Sequence, residues 1–507
     1  MVKFVLAMLA AVWLFCGSAP AWAAEPTTQP TSAPKSQPAV TPQRIAVLVA
    51  QLGDESATKR EQASKALAEI GPPALPELRK ALDSGDIEIV ARATILQKTI
   101  RRAATDESLL WKIELPDGGN NSWPVVTDDL VIFHGGDGDV HAITRTDGKQ
   151  KWTHKYKTYD DTMCAMCHKP NMALLGDKLI CLGTWEIGPG PMALDAASGK
   201  VLWQSEDHYF DTIAKDNAIV SVTRDDEILR LSPEDGTVVW RVKKSELVGS
   251  PYVGAYSLQI AEDVCLIPNS HGESINAEKS RSLVAVELAT GKKMWSIDGH
   301  CYIDSIHEGR VYVSWWETYK NVFRVFDLKT GTEQEAKLSA ADIRGCSKEV
   351  GEYLLSNLWY SASLKAHDVA SGKLVWQYAP RGVGEVLTEW VGITYASYSD
   401  HRFPVAMYDG AALLIVDDGL LAVDIKTGKP RWKFSMECTN LYGLVVRDGV
   451  AYFMDDGHPI VDQRKRDHHG PAHKVPKHKR YLYALDLAKA SQLDVPPEYE
   501  PAEVTEK

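Results

Sequence analysis

Apolar positions along the chain fall into two regimes. Between residues 42 and 102 they recur at helical spacing. Ile45, Leu48, Val49 and Leu52 lie at i, i+3, i+4 and i+7, one stripe of an amphipathic helix. Ala63, Ala66, Leu67 and Ile70 repeat that stripe and stop at Gly71-Pro72-Pro73, a helix end followed by a start that tolerates proline. Leu75, Leu78 and Leu82 predict a third helix closed by Ser84-Gly85, and Ile89, Ala93, Leu96 and Ile100 predict a fourth. Neither helix pair buries much alone, so the two should stack. Beyond residue 106 the pattern becomes short alternating runs separated by turn residues, which predicts strands joined by hairpins.

Those hairpins repeat. PMALDAASGKVLW (191–203) and LLAVDIKTGKPRW (420–432) are joined by VAVELATGKKMW (284–295), KAHDVASGKLVW (365–376), LRLSPEDGTVVW (229–240) and HAITRTDGKQKW (141–152). A degenerate copy, RVFDLKTGTEQE (324–335), keeps Asp327 and Gly331 but ends in Glu335. The shared pattern is an alternating strand, Asp four residues before Gly, and Trp four residues after it. Asp and Ser/Thr can bond turn amides, Gly takes the positive-φ position, and Trp opens the returning strand with a flat face for a neighbouring sheet. Most copies follow another strand pair, as in ALLGDKLICLG (173–183), so each unit supplies about four strands in roughly 40–55 residues, the size of a propeller blade. Counting Trp111, Trp152, Trp203, Trp240, Trp295, the Glu335 position, Trp376 and Trp432 gives eight. YLYALDL (481–487) has Asp486 but no Gly and Trp after it, and Trp111 has no hairpin before it. The first strand should therefore complete the last blade and close the ring.

The expected fold is mainly β, an eight-bladed propeller over 106–490 preceded by a small all-α domain over 42–105. In the latter, REQASKALAEIGPPALPELRKAL resembles HEAT-like repeats, which implies protein–protein contact; a plain four-helix appendage is the other reading. The hairpin copies resemble the quinoprotein-type, PQQ-like propeller family, which includes both dehydrogenases and an outer-membrane assembly lipoprotein. In the dehydrogenases the resemblance would imply a disulfide between adjacent Cys and a calcium site beside the quinone. This chain has no adjacent Cys pair and no legible calcium constellation. PQQ is therefore not expected, and no catalytic residue is carried over.

The ends of the chain change where it is placed. Residues 1–24 combine Lys3, an apolar run over 4–15 and the small-residue end Ala21-Trp22-Ala23, the form of a cleaved secretory signal. Phe15 precedes Cys16 where a lipid-anchored leader would need a small residue. Residues 25–41 are Pro, Thr, Ser and Gln, a flexible linker, and 491–507 form an acidic tail. No later segment reaches the ~18 apolar residues of a membrane helix, so a mature chain without a transmembrane segment, periplasmic or extracellular, is expected. Its partners would be other exported or envelope proteins. The net charge of −12 argues against nucleic acid as a partner.

Two segments carry candidate chemistry. In THKYKTYDDTMCAMCHKPN (153–171), Cys164, Cys167 and His168 have the CxxCH spacing of c-type haem attachment, with two thiols for the vinyl groups and a histidine placed to ligate iron. The loop has room for only about one helical turn, so a local disulfide and a pair of packed thiols stay open beside haem. In the last blade, QRKRDHHGPAHKVPKHKR (463–480) sets seven Lys+Arg and four His against one acid. Arg464, Lys465, Arg466, His468, His469, His473 and His478 are candidate ligands for an anion or a transition metal; a solvated insertion is the plainer reading. Cys181, Cys265, Cys301, Cys346 and Cys438 are scattered and read as single buried thiols. The functional expectation is an exported binding or scaffold protein, the alternative a redox protein working through the CxxCH loop.

Overall fold

The structure, a computed structural model, describes residues 41–116, 122–155, 172–182, 190–205, 209–223, 227–248, 258–269, 282–317, 320–335, 345–358, 364–378, 405–416, 419–436, 441–455 and 479–496. Its β part is eight four-stranded antiparallel sheets. In chain order they occupy 125–154, 172–204, 209–243, 259–298, 300–334, 345–378, 405–435 and 441–486, and are called blades 1 to 8 here. Blade 8 takes its outermost strand from the start of the propeller. β1 (Leu109–Glu114) pairs antiparallel with Tyr481–Asp486, placing Trp111 opposite Ala484 and Ile113 opposite Leu482. The expected closure is present.

The middle strands of each blade read as continuous apolar runs because both faces are covered by neighbouring blades; Leu130–His134 and Ala218–Thr223 are buried at every position. Outer strands alternate, as β1 does. Among the described residues an apolar cluster fills every seam between consecutive blades.

The indoles tie those seams. Trp152 Nε1–H donates to Ala196 O (3.2 Å), Trp203 to Pro233 O (2.9 Å), Trp240 to Leu288 O (2.9 Å), Trp295 to Leu328 O (3.0 Å) and Trp376 to Ile425 O (2.7 Å). Each acceptor is the residue after the Asp position in the next blade's hairpin. The hairpin glycine lies on the same ring: a Cβ on Gly199 would be 2.5 Å from Trp152 Cε3, and one on Gly428 would be 2.7 Å from Trp376 Cδ2. Glycine is thus required twice, by φ of 70° at Gly199 and 68° at Gly428 and by the ring beneath. Asp, Ser and Thr bond the turn as expected, with Ser198 N–H on Asp195 Oδ1 (2.8 Å) and Thr427 N–H on Asp424 Oδ1 (2.9 Å). Glu335 leaves the blade 5–6 seam without this tether, and that seam has the smallest apolar cluster among the described residues: Tyr312, Val325, Leu354 and Val369.

The seam that closes the ring has an additional clasp. Trp111 Nε1–H donates to Arg145 O (2.8 Å). Arg145 stands where other copies carry Ala196, Leu288, Leu328, Val369 or Ile425. Its guanidinium reaches into blade 8, to Tyr452 Oη (3.0 Å) and Asp448 Oδ2 (2.9 Å), while Arg447 of blade 8 answers to Val126 O (2.8 Å) and to the Asp128 carboxylate.

The α part is four helices, α1 (Pro42–Ala50), α2 (Ala57–Ile70), α3 (Leu75–Lys80) and α4 (Ile87–Ser108). Thr41 and Asp86 cap α1 and α4, and Ile45, Leu52, Leu67, Leu75, Leu78 and Leu96 lie in a shared core. α4 runs to Ser108 and passes directly into β1. At the other end of the chain, Asp486 caps a single helical turn, Leu487–Ala490, instead of opening a hairpin. The strand after it comes from β1.

Behind that turn lies a latch. Asp494 accepts a fork from Arg101 of α4, Nε to Oδ1 at 2.9 Å and Nη2 to Oδ2 at 2.7 Å, and a third bond from Arg79 Nη2 at 2.5 Å. Arg79 also bonds Val495 O, and Lys433 N–H of blade 7 donates to Asp494 O (3.2 Å). The Asp494 side chain keeps 11% of its exposure. Burial pushes its carboxyl up, but bonds and charge from Arg101 and then Arg79 outweigh that and hold it below the usual carboxylate range. One acid therefore ties the helices, the chain's last described segment and blade 7 together.

Candidate functional site

The described strands that flank the sequence's chemical candidates end at one end of the ring. In blades 1 to 7 the first–second and third–fourth connections share one end, and the second–third and blade-to-blade connections share the other; blade 8, whose fourth strand is β1, follows the same order through its third strand. Cys164, Cys167 and His168 fall between blade 1 and blade 2. Arg464, Lys465, Arg466, His468, His469, His473 and His478 fall between the second and third strands of blade 8. All ten lie outside the described residues. The described strands that flank them end at this second end of the ring, in blades that are neighbours across the closing seam.

The described residues at that end include two polar groupings around a carboxylate. Asp455, the last residue of its strand, is 2% exposed and accepts from Tyr483 Oη (2.5 Å) and Tyr481 N–H (3.0 Å). Tyr483 in turn stacks on Phe453 with ring centroids 5.3 Å apart. This carboxylate pins the strand pair from which the 456–478 connection departs.

In blade 1 the connection 135–139 folds back on its own hairpin. His141 Nε2 faces the Asp137 carboxylate at 3.0 and 3.1 Å, and Nδ1 meets Thr153 Oγ1 at 3.3 Å. Thr153 is the cross-strand partner of His141 and accepts from Gln150 Nε2 (2.6 Å). Assigning hydrogens to this network puts a proton on Nε2 toward Asp137 and leaves Nδ1 to accept from the threonine hydroxyl. A Cβ at Gly135 would fall on Asp137 Oδ1 and lie 2.8 Å from His141 Nε2, so glycine is what admits the carboxylate. The imidazole stacks on Phe133 at 5.4 Å. A hydroxyl, an imidazole and a carboxylate in line can relay a proton; here Asp137 also accepts from Asp139 N–H (3.2 Å) and Thr153 from Gln150, and the line pins the loop to the outer strand.

His134, three residues before Asp137, is buried, with its backbone N–H on Ser122 Oγ (2.9 Å) and its carbonyl accepting from Ser122 N–H (3.0 Å). Among the described residues no group of three or more His, Cys, Asp or Glu could hold a metal ion. The described thiols Cys181 and Cys265 are buried in middle strands, and burial pushes the Cys181 thiol up to about 12, which keeps it protonated and unreactive. Among the described residues no helix is long and apolar enough to cross a membrane.

Sequence reasoning missed the Asp137–His141–Thr153 line and the Asp494 latch. The first depends on a hairpin register that shifts between Ala142 and Ile143; the second leaves no periodic signal.

The chain is similar to BamB from Moraxella catarrhalis, at 13% identity over 74% of this chain and 99% of that one, with a TM-score of 0.43. It is also similar to a europium-containing methanol dehydrogenase (13% identity, 76% and 94% of the two chains, TM-score 0.46). A third likeness is to quinohemoprotein alcohol dehydrogenase ADHIIG from Pseudomonas putida HK5 (13%, 78% and 78%, TM-score 0.45). No curated protein matches the chain. The family model described as outer membrane protein assembly factor BamB matches residues 77–207, 188–300 and 224–345, together more than half of the sequence. The chain belongs to that family.

Proposed function

We propose that this chain is an exported interaction scaffold of the cell envelope, in which the propeller carries a fixed helical arm toward other envelope proteins. The observation that carries this reading is the Asp494 latch. Fixing one module on another costs conformational entropy, and the return is a composite surface of constant shape. Membership in a family named for outer-membrane protein assembly supports envelope proteins as the partners, and the leader-like residues 1–24 support export. An anionic ligand at Arg464, Lys465, Arg466, His468, His469, His473 and His478 would belong to the same reading. The test is size-exclusion chromatography of gently solubilised envelopes from cells producing the tagged chain. Elution in a complex well above 56.0 kDa, reduced to monomer in Asp494→Asn, supports the scaffold. Elution as a monomer in every fraction overturns it.

A second reading rests on the CxxCH spacing alone. Haem c joined to Cys164 and Cys167, with His168 on iron, would make this a redox protein. Protein from a host that matures c-type haem decides: a Soret band that survives denaturation supports the reading, and a colourless product refutes it.

A further inference from the structure

The helical arm has one face that its fold does not explain. A surface helix buries one stripe and turns polar side chains outward. α4 buries Ala93, Leu96, Gln97 and Ile100 against the arm's core. Directly opposite runs a second stripe, Ile87, Ala91, Ile95, Lys98, Arg102 and Asp106, spaced by three or four residues along five turns. Its first half is apolar. Ile87 is 86% exposed and Ile95 65%, the two most exposed large hydrophobics among the described residues. Its second half carries the cations Lys98 and Arg102 ahead of Asp106 and borders an open hollow of about 400 Å³ lined by Lys98, Thr99, Arg102, Ala103 and Asp106.

The cations stand out against their own domain. Lys59, Arg60, Lys65, Arg79, Lys80, Arg92 and Arg101 each meet a carboxylate. Lys98 and Arg102, one turn apart, meet none among the described residues. Helical repeats stack by covering one another's apolar faces, and a terminal repeat needs a polar outer face. α4 is the last helix of the arm, and instead of such a cap it offers apolar contact at one end and two uncommitted positive charges at the other.

We propose that this face of α4 docks an amphipathic helix of a partner protein, whose apolar stripe covers Ile87, Ala91 and Ile95 and whose two acidic residues, one turn apart, pair with Lys98 and Arg102. The inference deepens the scaffold reading and rests on it. A helix is the fitting occupant because the stripe is linear and its charges recur at helical spacing. Acidic partner groups follow from charge complementarity, which selects partners more than it adds affinity. Two isoleucines are too little apolar area to hold a membrane surface by themselves.

The probes are two synthetic helical peptides with the same apolar stripe, one with a pair of glutamates a turn apart beside it, the other with lysines there. Binding to the full exported chain is read by fluorescence anisotropy. The glutamate peptide should bind at least tenfold tighter than the lysine peptide, and more weakly as salt rises. The Lys98→Glu/Arg102→Glu double variant should invert that order, and Ile95→Glu should weaken both peptides. These side chains are exposed, so the variants should keep the wild-type thermal midpoint. Equal binding of the two peptides overturns the proposal, as does an Ile95→Glu variant that binds like wild type. Self-association that Ile95→Glu abolishes in sedimentation would assign the face to a second copy, and co-sedimentation with phosphatidylglycerol vesicles would assign it to lipid; either overturns the proposal. Failure here with the envelope complex still intact removes this face and leaves the scaffold reading standing.

Discussion

Replacing Asp494 by asparagine keeps the shape of the side chain and removes its charge. In the wild type two guanidiniums converge on that carboxylate, one as a fork, with the acid 11% exposed and Arg79 and Arg101 28% and 30% exposed. Removing one partner of a fully buried ion pair costs about 3–5 kcal/mol. The partial exposure of the arginines lowers this, and about 2–3 kcal/mol is expected. Most of that should appear as release of the latch, because the blades have their own cores. The assay is native-state hydrogen exchange at Lys433, Ser491 and Leu493, whose amides bond Asp494, Leu487 and Ala490. At a factor of ten per 1.4 kcal/mol, exchange there should quicken about 30- to 150-fold at neutral pH. The acid limb gives a second handle. The folded carboxyl titrates below its ordinary value, so the contribution is complete above the unfolded value of about 3.9 and is lost as pH falls through the lower folded value. Wild type and variant should therefore begin to draw together as pH falls below about 4. Exchange within about threefold of wild type at pH 7, or curves that stay parallel into acid, would refute the reasoning.

Gly199→Ala should destabilise by about 2–4 kcal/mol in urea unfolding, from a positive φ and a Cβ against Trp152. Gly309→Ala, with a φ of 68° and nothing within 4 Å, should lose only about 1 kcal/mol, and equal losses would deny the ring contact. Glu335→Trp should stabilise by about 1–2 kcal/mol by supplying the missing tether at the blade 5–6 seam; a lower thermal midpoint would contradict that. His307 is buried and stacked on Tyr312 at 4.3 Å, and burial lowers its pKa to about 4. Its contribution is present above the unfolded value of about 6.5 and is lost as pH falls from there through 4. His307→Phe should flatten stability over that range, as followed by urea midpoints, and an unchanged slope would exclude the histidine as its source.

What could be read from the sequence is what the molecule does repeatedly. Trp203 and Gly236 solve the same contact as Trp152 and Gly199, so the recurrence of both residues exposes it, and Trp111 with Tyr481–Asp486 follows by completing the count. Arg145 was equally visible as the charged residue in an apolar column. The latch was not. Asp494 meets Arg101 and Arg79 across 393 and 415 residues, within a polar segment that has no period to mark it. The His141–Thr153 contact depends on hairpin register, which shifts between Ala142 and Ile143, and a pattern of apolar positions does not resolve such a bulge. Conversely, Cys164, Cys167 and His168 stand out by spacing alone and lie outside the described residues.

The claim on which the rest depends is that helices and propeller form one body. Spin labels at Lys65 on α2 and Lys426 in the blade 7 hairpin, both exposed, would report it by double electron–electron resonance. A single narrow distance distribution in wild type that broadens in Asp494→Asn is the predicted result. A distribution already broad or split in the wild type would show a loose arm and contradict it.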